Sequence, residues 1–183
     1  MKKVLVPLAQ GCEELEAVTV IDLLRRAGIN VVTAGLDDQP IRASRGTVLV
    51  ADTSLERALK DEYDMVVLPG GLPGADNLNS DPRIITLLQD MAKQNKYTAA
   101  ICAAPKVLAT AGLLTGKSAT GFPGTLEKLD LPNTTIKSNP VVEDGAIITS
   151  RGPGTALDFA LSLIEKLAGT ESRDKVESSL QRA

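Results

Sequence analysis

Histidine is absent from this chain of 183 residues. That absence excludes a Ser-His-Asp triad, a Cys-His pair and any metal site built on imidazole. Acid–base work must then fall to carboxylates, thiols, tyrosine, lysine or backbone-held water. Aromatic residues make up 2% of the chain and tryptophan is missing, which removes the stacking platform that single-stranded nucleic acids need. The net charge of −3 offers no basic face for phosphates, so a nucleic-acid partner is not expected. No segment approaches the roughly 18 consecutive apolar residues of a membrane span, and no membrane partner is expected either. The start, Met1-Lys2-Lys3 followed by Val4-Leu5-Val6-Pro7, has too short an apolar run for a signal peptide and reads as a first strand. Cysteine occurs twice, at Cys12 and Cys102. Two thiols do not make a disulfide framework, and a reducing cytoplasm is the expected compartment.

What is present is a strong alternation of apolar strands and helical patterns. With 43% hydrophobic residues, the chain has enough apolar material for one domain spanning 1–183. Strands are expected at 3–8, 30–35 and 65–68, with a further strand ending at Cys102. Helices are expected at 14–27, 55–60, 82–94, about 105–113 and 154–168, followed by a polar terminal helix. Residues 41–50 read as a short antiparallel excursion around Ser44-Arg45-Gly46, and 141–149 as a hairpin turning on Asp144-Gly145. Such alternation implies an α/β fold with a mainly parallel sheet covered by helices on both faces. In open sheets of this kind the ligand site lies beyond the carboxyl ends of the strands. Three strand ends carry unusual residues and should converge there: Gln10-Gly11-Cys12-Glu13-Glu14, Leu68-Pro69-Gly70-Gly71 and Cys102-Ala103-Ala104-Pro105.

Cys102 ends an apolar, β-prone run and precedes a helix with proline in its first turn. That places a thiol at a strand-to-helix turn, where free amides and the helix dipole should lower its pKa and favour a nucleophilic thiolate. Glu16 stacks over Val20, Leu23 and Ala27 on an apolar stripe of the first helix. A carboxyl buried there should have a raised pKa, so that it could donate to a neighbouring thiolate and shuttle a proton. Glu13 and Glu14 are read as suiting the positive end of the helix dipole. Gly70 and Gly71 free the backbone to approach a ligand, and their amides could form an oxyanion hole with that of Ala103; a tight loop into the next helix is the equal alternative. Two decoys carry nothing. The Gly112–Ser118 segment imitates a phosphate-binding loop, but it is one residue short and follows a helix, while Asn133-Thr134-Thr135 is an incidental sequon.

The segments Gly11–Glu16, Val67–Gly71, Ala100–Pro105 and Thr149–Thr155 resemble the signature segments of the ThiJ/PfpI superfamily, most closely the branch of the Parkinson's-disease-associated protein deglycase. The resemblance spans nearly the whole chain. It implies a flavodoxin-like three-layer α/β sandwich and a homodimer. It makes Cys102 the reactive, oxidation-prone cysteine and Glu16 its protonated partner, with backbone donors at Gly71 and Ala103. It also puts Arg26 and Arg45 near the dimer interface and pocket, Arg45 reaching across, although Arg26 equally suits a solvated helix end. Two positions depart from the family pattern. Where many relatives carry a histidine after the elbow helix, this chain has Gly121-Phe122-Pro123-Gly124, so a protease-like Cys-His mechanism is not available. Cys12 stands where close relatives often place a small residue, and it could act as a resolving thiol.

The activity these readings imply is a cysteine-dependent glyoxalase or protein deglycase. It would act on methylglyoxal-type 2-oxoaldehydes and on glycated proteins, releasing 2-hydroxy acids, and would need no metal, glutathione or nucleotide cofactor. The alternative is a redox-sensing stress chaperone in which Cys102 is oxidised to sulfenic or sulfinic acid. A thiol peptidase or amidotransferase is weakened by the missing histidine.

Overall fold

The computed structural model describes residues 1–182. Its elements run in chain order as β1 (Lys3–Leu8), α1 (Glu14–Arg26), β2 (Asn30–Gly35), β3 (Ile41–Arg42), β4 (Val48–Leu49), β5 (Thr53–Ser54), α2 (Leu55–Ala58), β6 (Met65–Leu68), α3 (Gly74–Ser80), α4 (Pro82–Lys93), β7 (Tyr97–Ile101), α5 (Pro105–Thr110), β8 (Ser118–Ala119), β9 (Thr135–Ile136), β10 (Val141–Asp144) and β11 (Ile147–Ser150). A single 3₁₀ turn, Pro153–Thr155, then leads into α6 (Ala156–Ala168) and α7 (Thr170–Ser179).

The central strands β1, β6 and β7 are apolar along almost their whole length because helices cover them on both sides. The seven-stranded sheet has the order β10-β11-β7-β6-β1-β2-β5. Every pairing in it is parallel except that of β10 with β11, the hairpin expected at Asp144-Gly145. Stripped of its edge strands β5 and β10, the order is that of a flavodoxin-like doubly wound sheet. Helices α1 and α6 pack together in one layer, and α3, α4 and α5 in the other. From β1 the chain moves outward to β2 and β5, then returns past β1 to build β6, β7 and β11. The strand order therefore reverses between β1 and β6, and the crevice at that switch point is where such sheets bind ligands.

Local signals set the helix ends. Glu13 caps α1, its Oε2 accepting the Glu16 N–H at 3.1 Å, and Arg25 and Arg26 complement the other end of the dipole. Asp81 caps α4 ahead of Pro82. The helix α3 is not evident from its pattern, because a seven-residue element containing Asp76, Asn77 and Asn79 carries no apolar repeat. The expected helix over 105–113 is shorter, ending at Thr110 in a series of turns. No helix is long and apolar enough to cross a membrane among the described residues.

Candidate active site

Three loops meet at the switch point, and their backbones interlock. The Glu13 N–H donates to Gly70 O at 2.9 Å, and the Gly74 N–H donates to Gly11 O at 3.1 Å. Gly71 adopts φ +87°, and a Cβ there would come within 2.4 Å of the Glu13 nitrogen. Only glycine can hold this left-handed turn at such an approach.

Cys102 stands at the turn between β7 and α5. Its φ of +64° is unusual for a residue with a side chain; strain of this kind persists only where the surroundings over-determine it. Here the Cys102 N–H donates to Ser150 O at 3.0 Å, and the Cys102 carbonyl accepts from the Phe122 N–H at 2.8 Å. The residue is left 9% exposed, on the wall of a cavity of about 320 Å³ that it shares with Glu13, Ser44, Arg45, Gly71, Leu72, Ala103, Phe122, Thr125 and Pro153.

Glu16 is fully buried beside it. One carboxyl oxygen, Oε2, accepts the Gly70 N–H at 2.8 Å, and the other, Oε1, is buried with no conventional hydrogen-bond partner. An anion so placed is costly, and burial pushes the Glu16 carboxyl up to about 7, against the opposing pull of the Gly70 amide and the Cys102 thiol. A protonatable carboxyl is in place beside the thiol.

The expected lowering of the thiol is not. Burial pushes Cys102 up to about 12, reinforced by the Glu16 charge and its hydrogen bond; the N–H groups of Gly71 and Ala103 pull the other way. The helix behind it, α5, has only six residues, and burial of the thiol, with the Glu16 charge second, outweighs what the backbone amides supply. Two of the raising causes vanish when Glu16 carries the proton. The two titrations are therefore coupled, the charge of one opposing the charge of the other.

The other expected residues divide. Gly71 and Ala103 direct their N–H groups toward the Cys102 sulfur, where they favour the thiolate. The amide of Gly70 is already committed to Glu16, so Gly70 serves as a spacer between acid and thiol and is not a substrate donor. Arg45 lines the cavity. Arg26 does not; it sits at the exposed end of α1, paired with Asp22 at 2.7 Å. Cys12 also stays out of the cavity wall, because its side chain packs into the core. Burial and then Glu14 and Glu13 push its thiol up to about 11, a poor state for a resolving thiol.

Two acidic residues do more than the helix dipole asks of them. Glu13 both caps α1 and lines the cavity. Glu14 reaches the loop between β3 and β4, where its carboxylate accepts from the N–H groups of Arg45 at 3.0 Å and Thr47 at 3.3 Å and from the Ser44 hydroxyl at 3.2 Å. Desolvation works to raise Glu14, but its own amide and those of Arg45 and Thr47 hold it down at about 2. Glu14 thus fixes the loop that carries Arg45 to the cavity. The signal available in sequence was only a run of carboxylates at a helix start.

The fold and this site define a class: a flavodoxin-like α/β protein with a cysteine–carboxyl pair at the nucleophile turn of its switch point. Comparison with known proteins narrows the class. The model of the DJ-1/PfpI family matches residues 2–166, and the chain belongs to that family. It is 43% identical to the Parkinson disease protein 7 homolog of Danio rerio, over 98% of this chain and 96% of the relative. It is 47% identical to protein DJ-1 homolog B of Arabidopsis thaliana over 92% of this chain; the match covers 39% of that relative, and the chain spans less than half the length of the Arabidopsis relatives it matches. A glutathione-independent glyoxalase of Caenorhabditis elegans, DJR-1.2, is 32% identical over 91% of this chain and 89% of the relative. Among solved structures, DJ-1beta of Drosophila melanogaster superposes with a TM-score of 0.95 at 43% identity, covering 100% of this chain and 98% of that one. An oxidised DJ-1 of Toxoplasma gondii gives the same TM-score at 39% identity with both chains fully covered.

Proposed function

We propose that this protein is a cysteine-dependent, glutathione-independent glyoxalase that converts 2-oxoaldehydes to 2-hydroxy acids and acts also on their early protein adducts. The observation that carries this reading is the buried Glu16 carboxyl, poised at about 7 beside Cys102 and aligned by Gly70. A general acid–base group works best with its pKa near the working pH. The named activity of the Caenorhabditis relative supports the same reading.

In the proposed sequence Glu16 takes the thiol proton as Cys102 sulfur bonds to the aldehyde carbon. The oxyanion forms against the amides of Gly71 and Ala103, and Glu16 returns the proton to give a hemithioacetal. The carboxylate then removes the hydrogen from that carbon and delivers it to the adjacent keto carbon through an enediol. The aldehyde carbon is oxidised to a thioester while the keto carbon is reduced to an alcohol. Water finally displaces the sulfur, releasing the 2-hydroxy acid and regenerating the thiol. No external oxidant or reductant enters the balance.

A second reading, a redox sensor with chaperone activity, draws on Arg45 in the same cavity, whose cation could stabilise an oxidised sulfur, and on the oxidised Toxoplasma relative. The compartment suited to either activity is the cytoplasm, and the working unit is a homodimer. Leu15 and Val18 on α1, and Val48 and Val50 at the hairpin that Glu14 ties to it, leave apolar side chains in solvent that a second copy would cover; light scattering should then give the mass of two chains.

The deciding experiment is D- and L-lactate release from methylglyoxal by the wild type, Cys102→Ala and Glu16→Gln without glutathione. Turnover lost in both variants supports the Cys–Glu enzyme. A wild type no faster than Cys102→Ala would sink it and turn attention to peroxide titration of Cys102.

A further inference from the structure

The cavity is larger than the smallest oxoaldehydes need. At about 320 Å³ it falls within the range of clefts that hold drug-sized ligands, about 300–1,000 Å³, whereas methylglyoxal carries only a methyl group beyond its two carbonyls. Its walls are also unequal. The reacting end is polar, with the Cys102 thiol and the amides of Gly71 and Ala103, and Glu13, Ser44 and Arg45 form a hydrophilic side. Phe122, Leu72 and Pro153 add apolar surface to the same cavity. Phe122 is 51% exposed and Leu72 60%, so large apolar faces stand in water around a site otherwise built of polar groups. An apolar ligand group that covered them would gain in proportion to the area taken out of water.

Phe122 is held in place relative to the thiol. Its N–H donates to the Cys102 carbonyl at 2.8 Å, so the backbone that carries the ring is tied to that of the nucleophile. Gly152 lies under the ring, and a Cβ there would stand 3.3 Å from Phe122 Cδ2; the ring is seated flush on backbone where any side chain would press on it. Once the aldehyde carbon is bonded to sulfur and its oxygen lies on the amides, the group beyond the keto carbon must project away from Cys102 into the remaining space.

We infer that Phe122, with Leu72 and Pro153, is a specificity-determining apolar rim that selects 2-oxoaldehydes bearing an aromatic or comparably bulky apolar substituent over methylglyoxal. The inference rests on the glyoxalase reading for its chemistry, which is unchanged: water supplies the oxygen gained at the aldehyde carbon, and the keto carbon becomes the carbinol. The rim itself acts in binding. Ring-on-ring contact adds to area burial, and its loss is expected to cost roughly tenfold in selectivity.

The test compares phenylglyoxal with methylglyoxal by initial rates for the wild type, Phe122→Ala and Phe122→Leu, with folding checked by circular dichroism. It is paired with calorimetric binding of mandelate and lactate, the corresponding product acids, to Cys102→Ala and to the double variant Cys102→Ala, Phe122→Ala. The expected result is a kcat/KM ratio favouring phenylglyoxal by roughly tenfold in the wild type, lost mainly through KM in Phe122→Ala and partly kept in Phe122→Leu. Mandelate should bind Cys102→Ala tighter than lactate, and the gap should close in the double variant. A binding gap without turnover of either aldehyde would uphold the rim and overturn the glyoxalase reading. Equal kcat/KM for both aldehydes with equal binding of both acids, or a preference that survives Phe122→Ala, would overturn the rim.

Discussion

Gly70 stands between Glu16 and Cys102. Its N–H donates to Glu16 Oε2 at 2.8 Å, and a Cβ on it would come within 2.6 Å of Cys102 Cβ and 2.8 Å of both Glu16 Oε2 and Ile101 O. Acid and nucleophile are thus kept in register by a residue with no side chain. Gly70→Ala should force the two apart, costing about 1–3 kcal/mol of stability as an overpacked site. Turnover should fall by roughly 10²-fold or more, as a displacement near 1 Å does at a reacting centre. Urea unfolding and lactate release measure the two effects, and an active, fully stable Gly70→Ala would show that the spacing is not required.

The buried carboxyl makes stability depend on pH in a direction opposite to the usual carboxylate. Because the Glu16 pKa is raised from 4.5 to about 7 on folding, the native state holds a proton that the unfolded chain gives up. The stabilisation is complete below about pH 4.5 and is lost as pH rises through about 7. At ~1.36 kcal/mol per pKa unit the loss is on the order of 3 kcal/mol. Glu16→Gln keeps a neutral side chain at every pH, so the difference in unfolding free energy between variant and wild type should widen in the variant's favour from pH 5 to pH 8. A difference that stays flat over that range would mean that Glu16 does not titrate there.

The central architecture was legible because β1, β6 and β7 are almost wholly apolar runs punctuated by turn residues, and an alternation of strand and helix leaves few topologies open. Glu16 was legible for a related reason: a carboxylate in an apolar helical stripe has nowhere to go but inward. What could not be read were relationships between distant segments. The Gly70 amide reaches Glu16 across 54 positions, and nothing in either local pattern says which amide a buried acid will take. The thiol was misjudged because turn geometry speaks for the helix amides and is silent about the burial of the sulfur and the Glu16 charge beside it.

Glu14 was also obscured by distance, since its partners lie 30 to 33 residues away. If its carboxylate holds the Arg45 loop, Glu14→Ala should release the amides of Arg45 and Thr47. Hydrogen exchange at those two positions should then accelerate by roughly tenfold, the scale of one charge-assisted hydrogen bond, while amides of β6 and β7 keep their protection. Unchanged exchange at 45 and 47 would show that the loop is held by its other contacts.

The coupling between Glu16 and Cys102 makes a last prediction that divides reactivity from catalysis. The Glu16 charge is among the causes that push Cys102 up to about 12; Glu16→Gln removes it and leaves the Gly71 and Ala103 amides in place. The thiol pKa should fall, and alkylation by iodoacetamide at pH 8 should be faster in Glu16→Gln than in the wild type, because the thiolate is the attacking form. The same variant should lose lactate release, since a carboxamide cannot take the hydrogen from the hemithioacetal carbon. Faster alkylation with turnover intact would assign Glu16 to tuning the thiol alone and favour the sensor. Slower alkylation would mean that uptake of the thiol proton by the Glu16 carboxylate, the step it performs toward the aldehyde, outweighs the restraint of its charge on the sulfur.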